Sequence, residues 1–219
     1  MSDPWKSGRY VDRYNELYGF AAADAQTFLK PLELAAGDTY VDFGCGQGVA
    51  LRVAASTVAR VLGVDVSPQQ AARARELVGP LANVQVQECP FLLCDLSGYR
   101  FTKGSARKAL HHLTDPEKRQ FFGRIGASFE DGALFLIEDG IFDFDRSELE
   151  QRLPAVLAEA EGFYGERWSK MSSDFLVTMR DEFPTGFCTW ETSLAEGGFT
   201  VVQRTRATSF LGTILARKG

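Results

Sequence analysis

A short apolar run, Thr39 to Phe43, leads into VDFGCGQG (Val41 to Gly48), with glycine at every second position, and a segment rich in Ala, Val and Leu at helical spacing, Val49 to Ala59, starts directly behind it. A strand that turns this tightly into a helix is the first step of a βαβ unit. The pattern recurs. Val61 to Val66 reads as the next strand, and Ser67-Pro68 opens a helix, Pro68 to Val78, with a capping hydroxyl and a first-turn proline. Val84 to Gln87 is a third strand, Asp115 to Phe129 a helix, and ALFLIE (Ala133 to Glu138) a continuous apolar run of the kind buried in a parallel sheet. The tail alternates over Phe199 to Val202 and Phe210 to Ala216, which predicts an antiparallel pair closing the sheet. Such alternation predicts a doubly wound, mostly parallel α/β sheet whose ligands sit at the carboxyl ends of its strands.

Two segments lie outside the alternation. Residues 1–30 carry Tyr10, Tyr14, Leu17 and Tyr18 at helical spacing, an aromatic stripe. Residues 143–187 begin with Ser147-x-x-Glu150, a capping box for a helix running to about Glu161, and continue through Tyr164, Trp168, Phe175 and Phe183. The first reads as an N-terminal helical cover and the second as a helical lid insertion, although aromatic residues also serve plain core packing. No repeat or low-complexity tract interrupts the chain, so its 219 residues predict a single α/β domain over 1–219. Thr102 to Lys108 (TKGSARK) occupies the place of a central strand yet carries Lys103, Arg107 and Lys108, where a buried strand calls for apolar residues.

Hydrophobic residues at 45% and charged residues at 24% describe a globular chain, and a net charge of −5 predicts no broad basic surface for tracking DNA. MSDPWKSGRY lacks the apolar core of a signal peptide and no run reaches the length of a membrane span, so a cytoplasmic protein without a membrane partner is expected. Four irregularly spaced cysteines predict reduced thiols. Cys89-x4-Cys94 followed by His111-His112 lacks the paired C-x2-C spacing of a zinc site, and no metal is expected there.

A dinucleotide fingerprint counted from Gly44 and Gly46 needs a small residue at position 49, which is Val49; counted from Gly46 and Gly48 it falls on Leu51. A P-loop needs Lys-Ser/Thr behind its last glycine, and Gly48 is followed by Val49 and Ala50. What remains is Asp42-x-Gly44-x-Gly46-x-Gly48, an acid at a strand end and a backbone bare enough for a ligand to lie against. The helix behind it offers free N–H groups to a carboxylate, and Asp42 can take an ammonium group directly or through water. Asp65, in GVDVS at the end of the second strand, can accept both hydroxyls of a ribose.

VDFGCGQG with GVDVS and the later KALHHL resembles the class I S-adenosylmethionine-dependent methyltransferases, over about residues 38–142. The resemblance implies a Rossmann-like seven-stranded sheet with an antiparallel C-terminal pair, S-adenosyl-L-methionine as cofactor and S-adenosyl-L-homocysteine as product. It implies that Gly44 and Gly46, with Cys45 and Gly48 in the same loop, lie along the methionine part. Asp65 would bind the ribose, Val66 pack on adenine, and Glu88 meet the adenine amino group with Cys89 beside it. The family commonly has an aromatic residue followed by Asp at the start of the fourth strand; here the pair is Phe101-Thr102.

Methyl transfer from a sulfonium is an in-line displacement that depends on positioning in a water-poor pocket, with a base needed only when the nucleophile arrives protonated. His111 and His112 in LHHL are candidates for that base or for shaping the pocket, and as neighbours in an extended segment they should point to opposite sides. Asp139 reads as a substrate contact or a solvated loop acid. Tyr10, Tyr14, Tyr18, Tyr164 and Trp168 can surround the acceptor. The chain has no Asn/Asp-Pro-Pro-aromatic signature of nucleic-acid amino methylation, so a small-molecule acceptor is expected. The alternatives are a cofactor-binding module without turnover, a sensor or partner subunit, and an NAD-dependent oxidoreductase, which the glycine count disfavours.

Overall fold

A computed structural model of the chain describes residues 8–219, with side chains from residue 11 onward, so the Tyr10 ring lies outside the described residues. Helices α1 (Gly8–Leu17) and α2 (Ala22–Leu29) precede the sheet. Strand β1 (Thr39–Phe43) runs through the glycine loop into α3 (Val49–Ala55), and β2 (Arg60–Asp65), α4 (Pro68–Val78) and β3 (Val84–Glu88) complete the first half. The second half has β4 (Phe101–Arg107), α5 (Asp115–Ile125), β5 (Phe129–Asp139) and, after an insertion, α8 (Phe187–Glu196), β8 (Phe199–Arg206) and β9 (Gly212–Lys218). The sheet order is β3-β2-β1-β4-β5-β9-β8, parallel through β5 and antiparallel across β9 and β8. The order reverses beside β1, so the glycine loop stands at the topological switch point.

Alternation along the strands loads the two faces differently. On one face Val41, Phe43, Phe101, Phe135 and Phe199 pack against Phe121, Phe122 and Trp190. On the other, Tyr40, Val61 and Leu136 meet Leu32, Leu51 and Ala74. The Ser67 hydroxyl caps α4 by accepting from the Gln70 N–H, and a Thr114–Glu117 capping box starts α5.

The polar stretch TKGSARK does form the central strand β4, because its neighbours satisfy it. The Thr102 hydroxyl donates to Asp38 at 2.7 Å and accepts from the Thr39 N–H at 3.1 Å. Tyr40 donates to Ser105 and Ser105 to Asp42, each at 2.6 Å, a fully buried relay. Arg107 pairs with Glu138 at 2.8 Å, its guanidinium 4.1 Å from the Phe20 ring centre. Gly104 is required by packing, since a Cβ there would sit 2.7 Å from Phe135 and 2.8 Å from Phe129. Gly104→Ala is therefore expected to cost about 1–3 kcal/mol, the scale of overpacking a filled core. An unshifted urea midpoint would show that the two rings yield freely.

The insertion between β5 and α8 comprises β6 (Ile141–Phe142), α6 (Leu149–Tyr164), α7 (Trp168–Asp181) and β7 (Thr185–Gly186), which pairs with β6. It has its own apolar cluster of Phe142, Phe144, Leu153, Val156, Phe175 and Phe210. Its capping box is two residues earlier than expected, on the 3-10 turn Arg146–Glu148 that leads into α6: Asp145 accepts from the Ser147 N–H and Glu148 returns to the Asp145 N–H, and α6 continues past Glu161 to Tyr164. The expectation of four reduced thiols is corrected. Cys89 and Cys94 form a disulfide with Cα atoms 5.6 Å apart, because the turn behind β3, closed by Leu93 N–H on Pro90 C=O, folds the chain back on itself. Cys45 is free and buried, Cys188 free and exposed. No helix of the described residues is long and apolar enough to cross a membrane.

Candidate active site

The Gly44 and Cys45 N–H groups both donate to the Val64 carbonyl, at 2.8 and 3.0 Å, which locks the loop onto β2. Gly44 has φ +77°, and a Cβ there would lie 2.3 Å from the Ala109 Cβ. Gly46, at φ +54°, differs: its absent Cβ faces a cavity, with nothing nearer than the Gln70 amide nitrogen at 4.0 Å. Asp65 accepts from the Gly46 N–H at 2.8 Å and the Ser67 N–H at 2.9 Å, and so ties the loop to the start of α4. Burial raises Asp65 to about 6 against these hydrogen bonds, and raises Asp42 to about 7 against the one from Ser105.

The cavity facing Gly46 measures about 430 Å³ and is lined by Gly44, Asp65, Val66, Phe91, Ala109 and Leu113, among others. A smaller recess of about 80 Å³ is lined by Asp42, Cys45, Gly46 and Gln47, among others. Asn15 and Gln70 exchange hydrogen bonds at 3.2 and 3.0 Å, so α1 roofs this end of the sheet. Glu88 lies opposite Asp65 in the β2–β3 register but is exposed, 3.8 Å from Arg75, and the cavity wall behind β3 is Pro90 and Phe91. Cys89 is committed to its disulfide, and its N–H donates to the Asp65 carbonyl. Gly48 starts α3 and packs against α4.

LHHL is a 3-10 turn, Leu110–His112, and not an extended segment. Asp139 is the cause. It is fully buried, and its two oxygens accept from the N–H groups of Ala109, Leu110, His111 and Gly140, at 2.7–3.3 Å, and from His111 Nδ1 at 2.5 Å. The acid is therefore the buttress of the turn, neither a solvated loop residue nor a group with acceptor capacity to spare. The turn brings both imidazoles to one side, with ring centres 4.2 Å apart, which corrects the expectation of opposite sides. Both rings meet Glu182, His111 Nε2 and His112 Nδ1 each lying 3.3 Å from one of its oxygens. Burial opposes charge on His111, but Asp139 and then Glu182 outweigh it and raise His111 to about 10; burial and the neighbouring His111 lower His112. Lys108, in a left-handed backbone conformation at φ 50°, is lowered to about 8 by burial and Arg107.

A second cavity of about 220 Å³ opens beyond the histidines, with Tyr14, Tyr18, Tyr164, Phe175, Met179 and Phe210 in its walls. Trp168 is outside it, stacked behind Tyr164 at 6.3 Å and edge-on to Phe175 at 5.5 Å. The two cavities share Tyr14, Lys108, His112 and Glu182. Glu182 carries no sequence signal, standing in DEF at the end of α7 far from LHHL. Lys108 and Ala109 were legible as part of KALHHL, but not as cavity wall. Phe91 and Gln70 had no motif.

A parallel sheet with a glycine loop at its switch point, an acid ending β2 and an antiparallel closing pair is the fold of the class I S-adenosylmethionine-dependent methyltransferases. A family model described as a methyltransferase domain matches residues 41–132. An uncharacterized methyltransferase of Anoxybacillus flavithermus is 25% identical over 188 residues, covering 86% of this chain and 82% of that protein. Another, from Geobacillus thermodenitrificans, is 26% identical over 154 residues, covering 70% and 69%. Among solved structures, the magnesium protoporphyrin IX methyltransferase of Synechocystis with bound S-adenosylhomocysteine superposes with a TM-score of 0.67 at 13% identity, over 98% of this chain and 97% of that one. A putative sarcosine dimethylglycine methyltransferase from Galdieria sulphuraria gives 0.68 at 14%, over 95% and 98%. These structures share the fold, and the family model and sequence relatives carry the activity class. The family model and the sequence relatives support a methyltransferase, on the fold that the class I S-adenosylmethionine-dependent enzymes share. A binding module without turnover is not favoured.

Proposed function

We propose that the chain methylates a small molecule, holding the donor in the glycine-loop cavity and the acceptor in the aromatic cavity. The observation that carries this reading is that the two cavities meet at Tyr14, Lys108, His112 and Glu182, so a ligand in each would have its reacting end at the same junction. The residues present fit the donor. The space left by the missing Gly46 side chain is a cradle that any Cβ would fill, Asp42 and Asp65 supply acceptors for an ammonium group and for ribose hydroxyls, and Val66 and Phe91 offer apolar faces to a base. Gly44, Cys45 and Gly48 shape the loop. When bound, the donor supplies an electrophilic methyl group on a sulfonium. The protein's part is to orient, to desolvate and to place aromatic faces near the cation.

The covers belong to the same reading. Helix α1 contributes Tyr14, the residue directly behind it is Tyr18, and residues 143–187 contribute Tyr164, Phe175 and Glu182, so the described part of the N-terminal segment, residues 8–30, acts as a cover and 143–187 as a lid on a single domain. A cavity of this size, bounded by aromatic rings, suits a small acceptor better than a nucleic acid.

Calorimetry with S-adenosylhomocysteine from pH 8 to pH 6 tests the donor site. Burial raises Asp42 to about 7 and Asp65 to about 6, so the free site gains protons over this range, and each must leave before its carboxylate accepts the ligand. Affinity is highest above the raised values and is expected to fall about tenfold or more between pH 8 and pH 6. Absence of binding at any pH would overturn the site, and a dissociation constant flat across the range would assign the contacts to other groups.

A further inference from the structure

His111, His112 and Glu182 offer one ligand atom each, all within 4.8 Å of one another; all three line the aromatic cavity, and His112 and Glu182 also line the glycine-loop cavity. The contacts of Glu182 with His111 Nε2 and His112 Nδ1, both 3.3 Å, are longer than ordinary N–H···O hydrogen bonds, and the buried Glu182 Oε2 has no hydrogen-bond partner. Ligand atoms within 4.8 Å of one another are close enough for small side-chain adjustments to close them around one ion with bonds of about 2.0–2.1 Å, whose tetrahedral edges are about 3.3 Å. His111 also meets the outer-shell requirement of a metal ligand. Its Nδ1 is engaged by Asp139 at 2.5 Å, which orients the ring and leaves Nε2 facing Glu182. Asp139 is itself held by four backbone N–H groups, so the outer shell is rigid.

We infer that His111, His112 and Glu182 form a binding site for one divalent cation of borderline softness, zinc being the natural probe, with its remaining position open to the acceptor cavity. Two imidazoles and one carboxylate suit such an ion and not calcium or magnesium, which prefer oxygen. Where the aromatic cavity is the acceptor site, as proposed above, the ion would take a hydroxyl oxygen of the acceptor, lower its pKa and let its proton pass to solvent, leaving an oxygen nucleophile. The inference thereby names a hydroxyl-bearing acceptor. Cation binding itself does not depend on that reading.

The test is titration of chelator-treated full-length protein with Zn²⁺ by calorimetry and with Co²⁺ by visible absorption, in a Cys188→Ser background that removes the exposed thiol. One equivalent is expected to bind, with cobalt bands of a nitrogen and oxygen environment. Glu182→Gln and His112→Gln are each expected to weaken Zn²⁺ binding by well over about 100-fold, beyond the roughly 10–100-fold scale of an outer-shell loss. No uptake, uptake without the cobalt bands, or uptake that survives Glu182→Gln unchanged would overturn the site. Glu182→Gln keeps the side chain's shape, so the test stands even if a histidine variant misfolds. S-adenosylhomocysteine binding is measured on the same samples: retained with no cation uptake, it removes the metal site alone, and its loss in the wild-type protein removes the proposed donor site whatever the cation does.

Discussion

Gly46→Val is expected to abolish S-adenosylhomocysteine binding, weakening it by about 100-fold or more, which is about 2.7 kcal/mol, while the sheet stays folded. The missing Cβ of Gly46 points into the cavity and meets only the Gln70 amide at 4.0 Å, so an isopropyl group would occupy ligand space without striking the core. Its φ of +54° adds backbone strain of about 1–2 kcal/mol for a residue with a Cβ. That is enough to lower the melting temperature by several degrees, and too little to unfold a domain of this size. Gly44 is the contrasting position, because a Cβ there would collide with Ala109 and disturb the fold itself. Calorimetry and thermal unfolding of the same Gly46→Val sample separate the effects. Wild-type affinity in a folded variant would move the donor away from this loop.

Asp139→Ala is expected to cost about 3–5 kcal/mol, the scale for breaking one side of a buried charged network. Four backbone N–H groups and the His111 ring lose their acceptor together, in a place without access to solvent. For a chain of 219 residues this corresponds to a drop in melting temperature of roughly 10 °C. The 3-10 turn would loosen as well, so the two histidines should lose their fixed positions in NMR spectra of the imidazole protons. A drop of less than a degree with unchanged histidine signals would mean that the turn is held by packing alone.

Local chemistry made much of the donor site readable in advance. The glycines at 44, 46 and 48 shape one tight loop, Ser67-Pro68 opens its own helix, and the acids at 42 and 65 stand at or beside strand ends, so their places could be read from spacing along the chain. Alternating apolar runs likewise determined the order of strands and helices and the antiparallel close. Tertiary structure decided the rest, because it depends on partners that spacing does not relate. The polar strand β4 is buried because β1 and β5 bring Asp38, Tyr40, Asp42 and Glu138 to its hydroxyls and guanidinium. The histidines face one way because Asp139, from another strand, gathers the N–H groups of Ala109, Leu110 and His111 into a turn, and they meet Glu182 because the lid insertion folds back over that turn. Cys89 and Cys94 pair because a tight turn reverses the chain between them. The hydrogen bonds and ion pairs form only after distant segments have met, whereas the disulfide, between residues five apart, follows from a local turn that no residue pattern announced; a buried polar group takes its conformation from whichever partner the fold supplies.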